Sequence, residues 1–528
     1  MGGSRARVMC PTRVPRAACR GIPPHRWHAG PVSQPPRTPP SLDRERWRAF
    51  AVLLAGGFMT MLYVSIVNVA LPSIESSLGT TATDIQWILA GYSLTFGLVL
   101  MPAGRLGDVF GRRRLFLIGA AGFVVASGVA GLAGSAAMLV IVRLIQGVFA
   151  GLMNPQVSAL IQELFRGAER ARAFGYFGMT IGVSTAIGPL LGGILVSALG
   201  PEFGWRAVFL INVPVGLVVV PLAAKFLPRP LAPPADAADV PAARRGLGLD
   251  GIGLIMMGTA VLTFMWPFVT GSSHPQGLAA APWWMLAVAV VALAALVAWE
   301  RRHHRSGHPV LLDPGLLRNI GFVMGTSLGA FYFAGFTGIF VVVTMYYQQG
   351  LGMAAWLAGL AQMPYALASA YAAAHSGRRV VERGRRVVVQ GLVLMLIAVV
   401  AIAAAAVLLP ASLAQWAVPI LMGIAGFGGG SVISPNQALA LAEVPTRLAG
   451  TASGLLQTMQ RLGASVGLAL MSTAFFVRVQ SAPAPTAAVY GHALALSLVV
   501  TVILLVVAIA IGVADMRRRQ APGGHPFQ

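Results

Sequence analysis

Along the chain, long uninterrupted apolar stretches alternate with short polar connections. The stretches lack the period-two alternation of barrel strands and run to about 20 residues, the length a helix needs to cross the hydrocarbon core of a bilayer. In lipid every backbone N–H and C=O must be satisfied inside the segment or in a closed barrel, so uniformly apolar runs of this length predict helices. Approximate spans are 49–71, 85–104, 115–134, 136–160, 172–196, 206–227, 252–271, 283–299, 320–347, 355–375, 387–409, 413–440, 448–477 and 489–512, about fourteen in all. The predicted fold class is an all-α polytopic membrane protein.

Composition agrees: with 56% hydrophobic and only 10% charged residues, 528 residues cannot clothe a soluble globule in polar surface. The charge is concentrated in connections. Arginines recur after every second span: Arg112 to Arg114; Arg166, Arg170 and Arg172; Arg244 and Arg245; Arg301, Arg302 and Arg305; Arg378 to Arg386; Arg517 to Arg519. The intervening connections carry only Arg206 and Arg478, so the positive-inside rule predicts a cell-membrane protein with both termini cytoplasmic. The net charge of +22 is thereby spent on topology, and no nucleic-acid partner is predicted. Cys10 and Cys19 both precede the first span, which leaves no disulfide framework and no thiol metal site. No loop carries a nucleophile, base and metal constellation, so neither a metal, nor a cofactor, nor an enzyme is predicted. A single lysine, Lys225, against a large arginine excess suggests a GC-rich bacterial genome.

Two polar segments stand apart. Residues 1–41 are rich in Arg, Pro and Gly and lack the apolar core of a signal peptide, so they read as a disordered basic tail. Residues 229–249 are rich in Pro and Ala and read as a cytoplasmic linker. An internal repeat supports a division there. Gly104-x6-Gly111-Arg-Arg recurs as Gly377-x6-Gly384-Arg-Arg, and Met153-Asn-Pro-Gln156 is echoed by Ser434-Pro-Asn-Gln437. The expected organisation is an N-terminal six-helix half (42–228), the linker, two extra central helices (250–300), a C-terminal six-helix half (301–515) and a tail (516–528).

The repeated turn is the first candidate for function. Gly104 and Gly111 allow a tight turn, Arg112 fixes its side of the membrane, and Asp108 among arginines and helix ends suits a latch that forms in one conformer and opens in another. Gly377 and Gly384 form the second copy. There Asp108 is matched by Val381, with Glu382 displaced by one, so the N-terminal latch should be the stronger. Arg143 lies inside the fourth span, where a guanidinium costs about 2.5–3.5 kcal/mol on insertion scales, so it needs a wet cavity or a partner. The other reading of Arg143 is a packing residue hydrogen-bonded to helix carbonyls. Arg461, with Gln457 and Gln460, makes a second polar cluster in the thirteenth span. Gly182, Gly188, Gly192 and Gly193 around Pro189 would let helices approach and bend.

These motifs resemble those of the major facilitator superfamily over essentially the whole chain after Leu42. The turn Gly104 to Arg114 is similar to that superfamily's signature loop between its second and third helices. Leu139-x3-Arg143-x2-Gln146-Gly147 resembles its fourth-helix motif, and Gly182-x5-Gly188-Pro-Leu-Leu-Gly-Gly193 the fifth-helix motif associated with antiporters. Trp205-Arg-Ala-Val-Phe-Leu-Ile-Asn-Val-Pro-Val-Gly216 and the extra central pair resemble the fourteen-helix drug:proton antiporter branch. The resemblance implies a major facilitator fold of two pseudo-repeat halves, a monomer, and export of drug-like or antibiotic-like apolar small molecules by alternating access in exchange for protons.

The first span departs from that branch. Where its members usually carry an acid, this chain reads Leu62-Tyr63-Val-Ser65-Ile-Val-Asn68-Val-Ala-Leu-Pro72, and a phenol titrates near pKa 10, too high to exchange protons readily. Of the 16 acids none is near a span centre: Asp108, Glu163, Glu300, Glu382 and Glu443 lie at ends or in connections. Proton exchange would then fall to the Asp108 network or His375, with Tyr63, Ser65 and Asn68 as substrate contacts. Gln146, Asn154, Tyr332 and Phe336 complete the candidate substrate or coupling residues, with Phe331, Phe333, Tyr92, Tyr365 and Tyr371 as further aromatics. Interior charges that are arginines favour a neutral or weakly anionic substrate. The alternatives are a facilitator for a nutrient or metabolite, and a non-transporting paralogue uncoupled by Tyr63.

Overall fold

The computed structural model describes residues 40–228, 250–273, 277–306, 310–484 and 486–520. They belong to two compact units, Met1–Arg44, of which only 40–44 are described, and Glu45–Gln528, which holds everything below. The expected linker 229–249 and all but the last two residues of the expected tail 1–41 lie outside the described residues. The helices are α1 (Pro40–Leu78), α2 (Ala82–Phe110), α3 (Arg112–Gly131), α4 (Ala136–Leu164), α5 (Gly167–Leu210), α6 (Asn212–Phe226), α7 (Gly251–Ser273) and α8 (Trp284–Arg305). After them come α9 (Pro314–Arg318), α10 (Ile320–Met345), α11 (Ala355–Leu360), α12 (Met363–Arg383), α13 (Arg385–Leu408), α14 (Ala411–Ala440), α15 (Ala449–Gln480) and α16 (Ala487–Gln520).

Twelve stretches among the described residues are long and apolar enough to cross a membrane. One of them, Gly167–Phe226, has 60 residues, and at 1.5 Å per residue it would run about three times the hydrocarbon thickness. It is two spans. The break is at Gly200, whose φ of 78° leaves the helical region immediately before Pro201. α12 is the other addition: Arg378, Arg379, Glu382 and Arg383 dilute its apolar character, yet it packs between α5 and α14 inside the bundle. With the second part of the long run and α12, the described residues supply fourteen spans.

Local chemistry sets several starts. Thr81 and Asp84 form a reciprocal capping box on α2, Ser135 accepts from the Met138 N–H on α4, and Asn319 accepts from the Phe322 N–H on α10. The exposed Asp84 carboxyl is held below the usual carboxylate range by the hydrogen bonds from Thr81. In the repeated turns only the second glycine makes the bend. Gly111 has φ 97° and Gly384 φ 53°, whereas Gly104 and Gly377 lie within α2 and α12 and serve close approach instead.

α1 to α6 pack as one half, through α2 on α4 and α3 on α4, α5 and α6, and α10 with α12 to α16 as the other. The halves meet along a seam of α2 against α15, α4 against α15, and α5 against α12 and α14. α7 and α8 pair with each other and lean on α2 and α15, with Trp87 and Trp266 at 5.4 Å between centroids.

The expected bend in α5 is absent at Pro189, where the helix runs on unbroken; the departure comes at Gly200. Gly182 instead faces Ala370 of α12, where an added Cβ would stand 2.9 Å from its Cα. Gly188 and Gly192 face Ser65 and Ile66 of α1, and Gly193 has nothing within 4 Å of such a Cβ. The motif serves helix approach, and Gly193 has no part in it.

Candidate functional site

The arginine-bearing helix ends converge at one end of the bundle, and there the halves are bolted together. At the end of α2, Asp108 is only 3% exposed at its side chain. Its Oδ1 accepts from the Gly450 N–H at 3.0 Å, and its Oδ2 from the Thr451 N–H at 2.8 Å and the Thr451 hydroxyl at 2.9 Å. α15 begins at Ala449 and has no side-chain cap of its own. Asp108 therefore caps that helix from the opposite half, satisfying free N–H groups and facing the positive end of the helix dipole. Arg112 completes the group: it bonds Asp108 at 2.9 Å, Glu163 of α4 at 3.1 Å, and the Thr446 carbonyl across the seam. Gly104 permits all this, since a Cβ there would run into the Gly450 carbonyl.

Deeper along the seam come neutral hydrogen bonds. Gln437 of α14 donates to the Ser158 hydroxyl of α4 at 2.8 Å, Gln457 of α15 to the same hydroxyl at 3.3 Å, and Gln162 of α4 to Ser453 at 3.4 Å. Gly175 and Gly377 bring α5 and α12 together: a Cβ on Gly377 would lie 2.8 Å from the Gly175 Cα.

The second turn spends its charge differently. Arg385, expected in a basic connection, is 2% exposed and bonds Asp515 of α16 at 2.7 Å, both inside the C-terminal half. It also bonds Asn436, which donates to the Gly325 carbonyl at 2.9 Å, while Arg519 approaches Asp515 at 3.2 Å and Glu443 at 2.9 Å. Asp515 was missed in the sequence. Its signal was an acid three and four residues before Arg518 and Arg519 at the close of an otherwise apolar run.

A third cluster lies inside the N-terminal half. Arg143, 2% exposed, donates to the Ile88 carbonyl at 2.8 Å and to Gln146 Oε1 at 3.3 Å. Its guanidinium is clamped between Tyr92 at 4.4 Å and Tyr63 at 4.9 Å, and Tyr63 donates its phenol to Gln146, which in turn donates to Ser127 at 2.7 Å. Arg143 thus has partners, and no carboxylate among the described residues. Tyr92 stacks on Phe96 at 6.0 Å and 15°, and Arg461 of α15 lies over Phe96 at 4.6 Å. The result is a ladder of Tyr63, Arg143, Tyr92, Phe96 and Arg461 reaching from one half to the other.

The remaining candidates divide. Asn154 is tied within its half, donating to the Ala150 carbonyl at 3.1 Å and Thr60 at 3.4 Å. Asn68 is exposed, and five residues on from Tyr63 it lies on another face of α1. Gln460 points toward Gly329 of α10, 3.4 Å from where a Cβ would be. Tyr332 stacks on Phe336 at 5.5 Å, and its hydroxyl meets that of Tyr365 at 3.5 Å in the core of the C-terminal half. His375 stacks on the exposed Tyr371. No residue pattern marked Ser158, Gln162, Thr451 or Phe96 in advance, apart from the i, i+4 spacing of Tyr92 and Phe96.

A family model described as Major Facilitator Superfamily matches residues 53–468. The chain belongs to the major facilitator superfamily. Among superfamily relatives, a probable actinorhodin transporter of Streptomyces coelicolor is 35% identical over 446 residues, covering 83% of this chain and 74% of the relative. The tetracenomycin C resistance and export protein of Streptomyces glaucescens is 31% identical over 452 residues, covering 84% and 78%. The multidrug efflux pump LfrA of Mycolicibacterium smegmatis is 31% identical over 431 residues, covering 81% of each chain. In fold the chain is similar to the proton:xylose symporter XylE, with TM-score 0.58 at 16% identity, over 87% of this chain and 95% of that one. As a major facilitator protein it is a multi-span membrane transporter of small organic molecules, and not an enzyme.

Proposed function

We propose that this transporter exports antibiotic-like or drug-like small molecules by alternating access, as a monomer, with the arginine-rich end and both termini on the cytoplasmic side. The observation that carries the reading is the seam. Its contacts at the arginine-rich end are a helix cap supplied in trans, hydrogen bonds from Arg112 and Arg170 to the Thr446 and Ala442 carbonyls, a few neutral hydrogen bonds and glycine approaches, and when they part Asp108 and Arg112 keep each other as partners. Relatives named for export of, or resistance to, antibiotics support the direction and the class of substrate. An apolar, uncharged or anionic compound suits an interior where Arg143, and Arg461 at the seam, have no carboxylate partner among the described residues.

Exchange for protons would run through carboxylates at the seam, Asp108 and Glu163, because Tyr63 occupies the first-span position and is committed to Gln146. Efflux of a panel of apolar dyes and antibiotics from cells expressing the chain, with and without a protonophore, tests both parts. Accumulation equal to that of empty cells removes the export reading. Efflux that survives collapse of the proton gradient removes proton exchange alone.

A further inference from the structure

We propose that Arg461 is an anion anchor, and that the transported molecules include aromatic or otherwise apolar acids carrying one carboxylate or ionised enol or phenol; this rests on the export reading above. Of Arg143, Arg385 and Arg461, the first two are spoken for. Arg143 has the Ile88 carbonyl, Gln146 and two tyrosine faces, and Arg385 has Asp515 and Asn436. Arg461 has no hydrogen-bond acceptor and no ion-pair partner among the described residues, and its half-buried guanidinium is still reachable by water. A ring face is all that holds it, Phe96 at 4.6 Å. A guanidinium in low dielectric with its planar fork unengaged is a strong receptor for a carboxylate-like group, and repels a cation.

Its position is the second argument. Travelling along α15 from the arginine-rich end, the seam is bonded at Gly450, Thr451, Ser453 and Gln457. Arg461 follows one helical turn after Gln457. Beyond it Gly463 and Gly467 of α15 turn against Ala330 and Ala334 of α10, in their own half. Arg461 therefore stands where the bonded part of the seam ends, on a helix of one half and over a ring of the other. An anion held there touches both halves at the level where they part. Phe96 and Tyr92, buried and stacked between Arg461 and Arg143, give the guanidinium apolar surroundings, which suits an acid with an apolar body.

The test uses the purified full chain in detergent, with anthraquinone-2-carboxylate and its neutral isostere anthraquinone-2-carboxamide as probes, read by quenching of tryptophan fluorescence. The carboxylate should bind about tenfold more tightly than the carboxamide, and Arg461→Gln should bring that ratio to about one. Arg461→Lys keeps the charge and loses the fork, so the ratio should fall about threefold but survive, which covers the case in which Arg461→Gln misfolds. Equal affinities in the wild type, no carboxylate binding, or a ratio unchanged in both variants overturns the proposal. Efflux of the neutral dye Nile red from cells reads the export function separately. Its absence beside an intact carboxylate preference sinks export alone, and its presence without that preference sinks the anchor alone.

Discussion

The two copies of the Gly-x6-Gly-Arg-Arg turn begin alike and end differently. In both, the first glycine lets a helix of one half touch a helix of the other, Gly104 on Gly450 and Gly377 on Gly175, and the second glycine makes the bend. The charged parts then separate in purpose. Asp108 and Arg112 reach across the seam to the start of α15, whereas Arg385 turns inward to Asp515 and ties α13 to α16 within one half. The lesson is that a repeated motif can conserve its steric role while its electrostatic role is reassigned. One copy makes a contact between the halves, and the other ties helices together within one half. Val381, where an acid would match Asp108, is the substitution that separates them, and the start of α5 accordingly has no side-chain cap.

This contrast can be broken at either end. Asp515→Asn should have the largest effect, because it leaves Arg385 buried without its counter-charge, a loss of about 3–5 kcal/mol. It should lower the melting temperature in detergent far more than Asp108→Asn does; equal losses would erase the distinction between staple and latch. Asp108→Asn should act on the conformational equilibrium, weakening charge-assisted bonds worth about 1.5–3 kcal/mol and opening the seam about tenfold more often. The readout is the maleimide reactivity of Ser453→Cys in a chain with Cys10 and Cys19 replaced by Ser, and unchanged reactivity would remove Asp108 as a latch.

Gly104→Val should keep the seam from closing by overlap with the Gly450 carbonyl, at about 1–3 kcal/mol of overpacking. Gly377→Val should do the same against Gly175, with similar loss of transport rate. If only one of the pair impairs transport, the shared steric role is wrong. Smallest should be Val381→Asp, which gives the second copy an acid near the start of α5 and should favour the closed seam by about 0.3–1 kcal/mol. Turnover measured with a dye should fall slightly, and a rise would indicate that position 381 does not face that helix end.

Much of the fold was legible in advance because membrane insertion is read along one dimension. Length and apolarity fixed the helices near the expected bounds, and the break at Gly200 falls in the gap expected between spans 172–196 and 206–227. The site was less legible. Asp108 was recognised as odd among arginines, yet its principal partners are backbone N–H groups, which no residue pattern marks. Arg385 read as one more topology arginine, and only the fold buries it beside Asp515. Arg143 was expected at water or a partner and found partners, while Arg461, which raised the same argument, has a ring face and no hydrogen-bond acceptor among the described residues.

By itself the sequence determined the helical class, the number of spans, the division into two halves and the family, because hydrophobic length, arginine spacing and glycine turns are local signals that lipid and water enforce on each segment separately. Only the tertiary structure decided which charges pair. Positions 108 and 450 are separated by 342 residues, and their meeting depends on two whole halves docking. Packing within each half satisfies Arg143 and Arg385, while Arg461, set against the Phe96 ring of the other half, stays open. A guanidinium in the bundle must find a partner or keep its water, and which of these it does is set by packing around it, not by its neighbours in the chain.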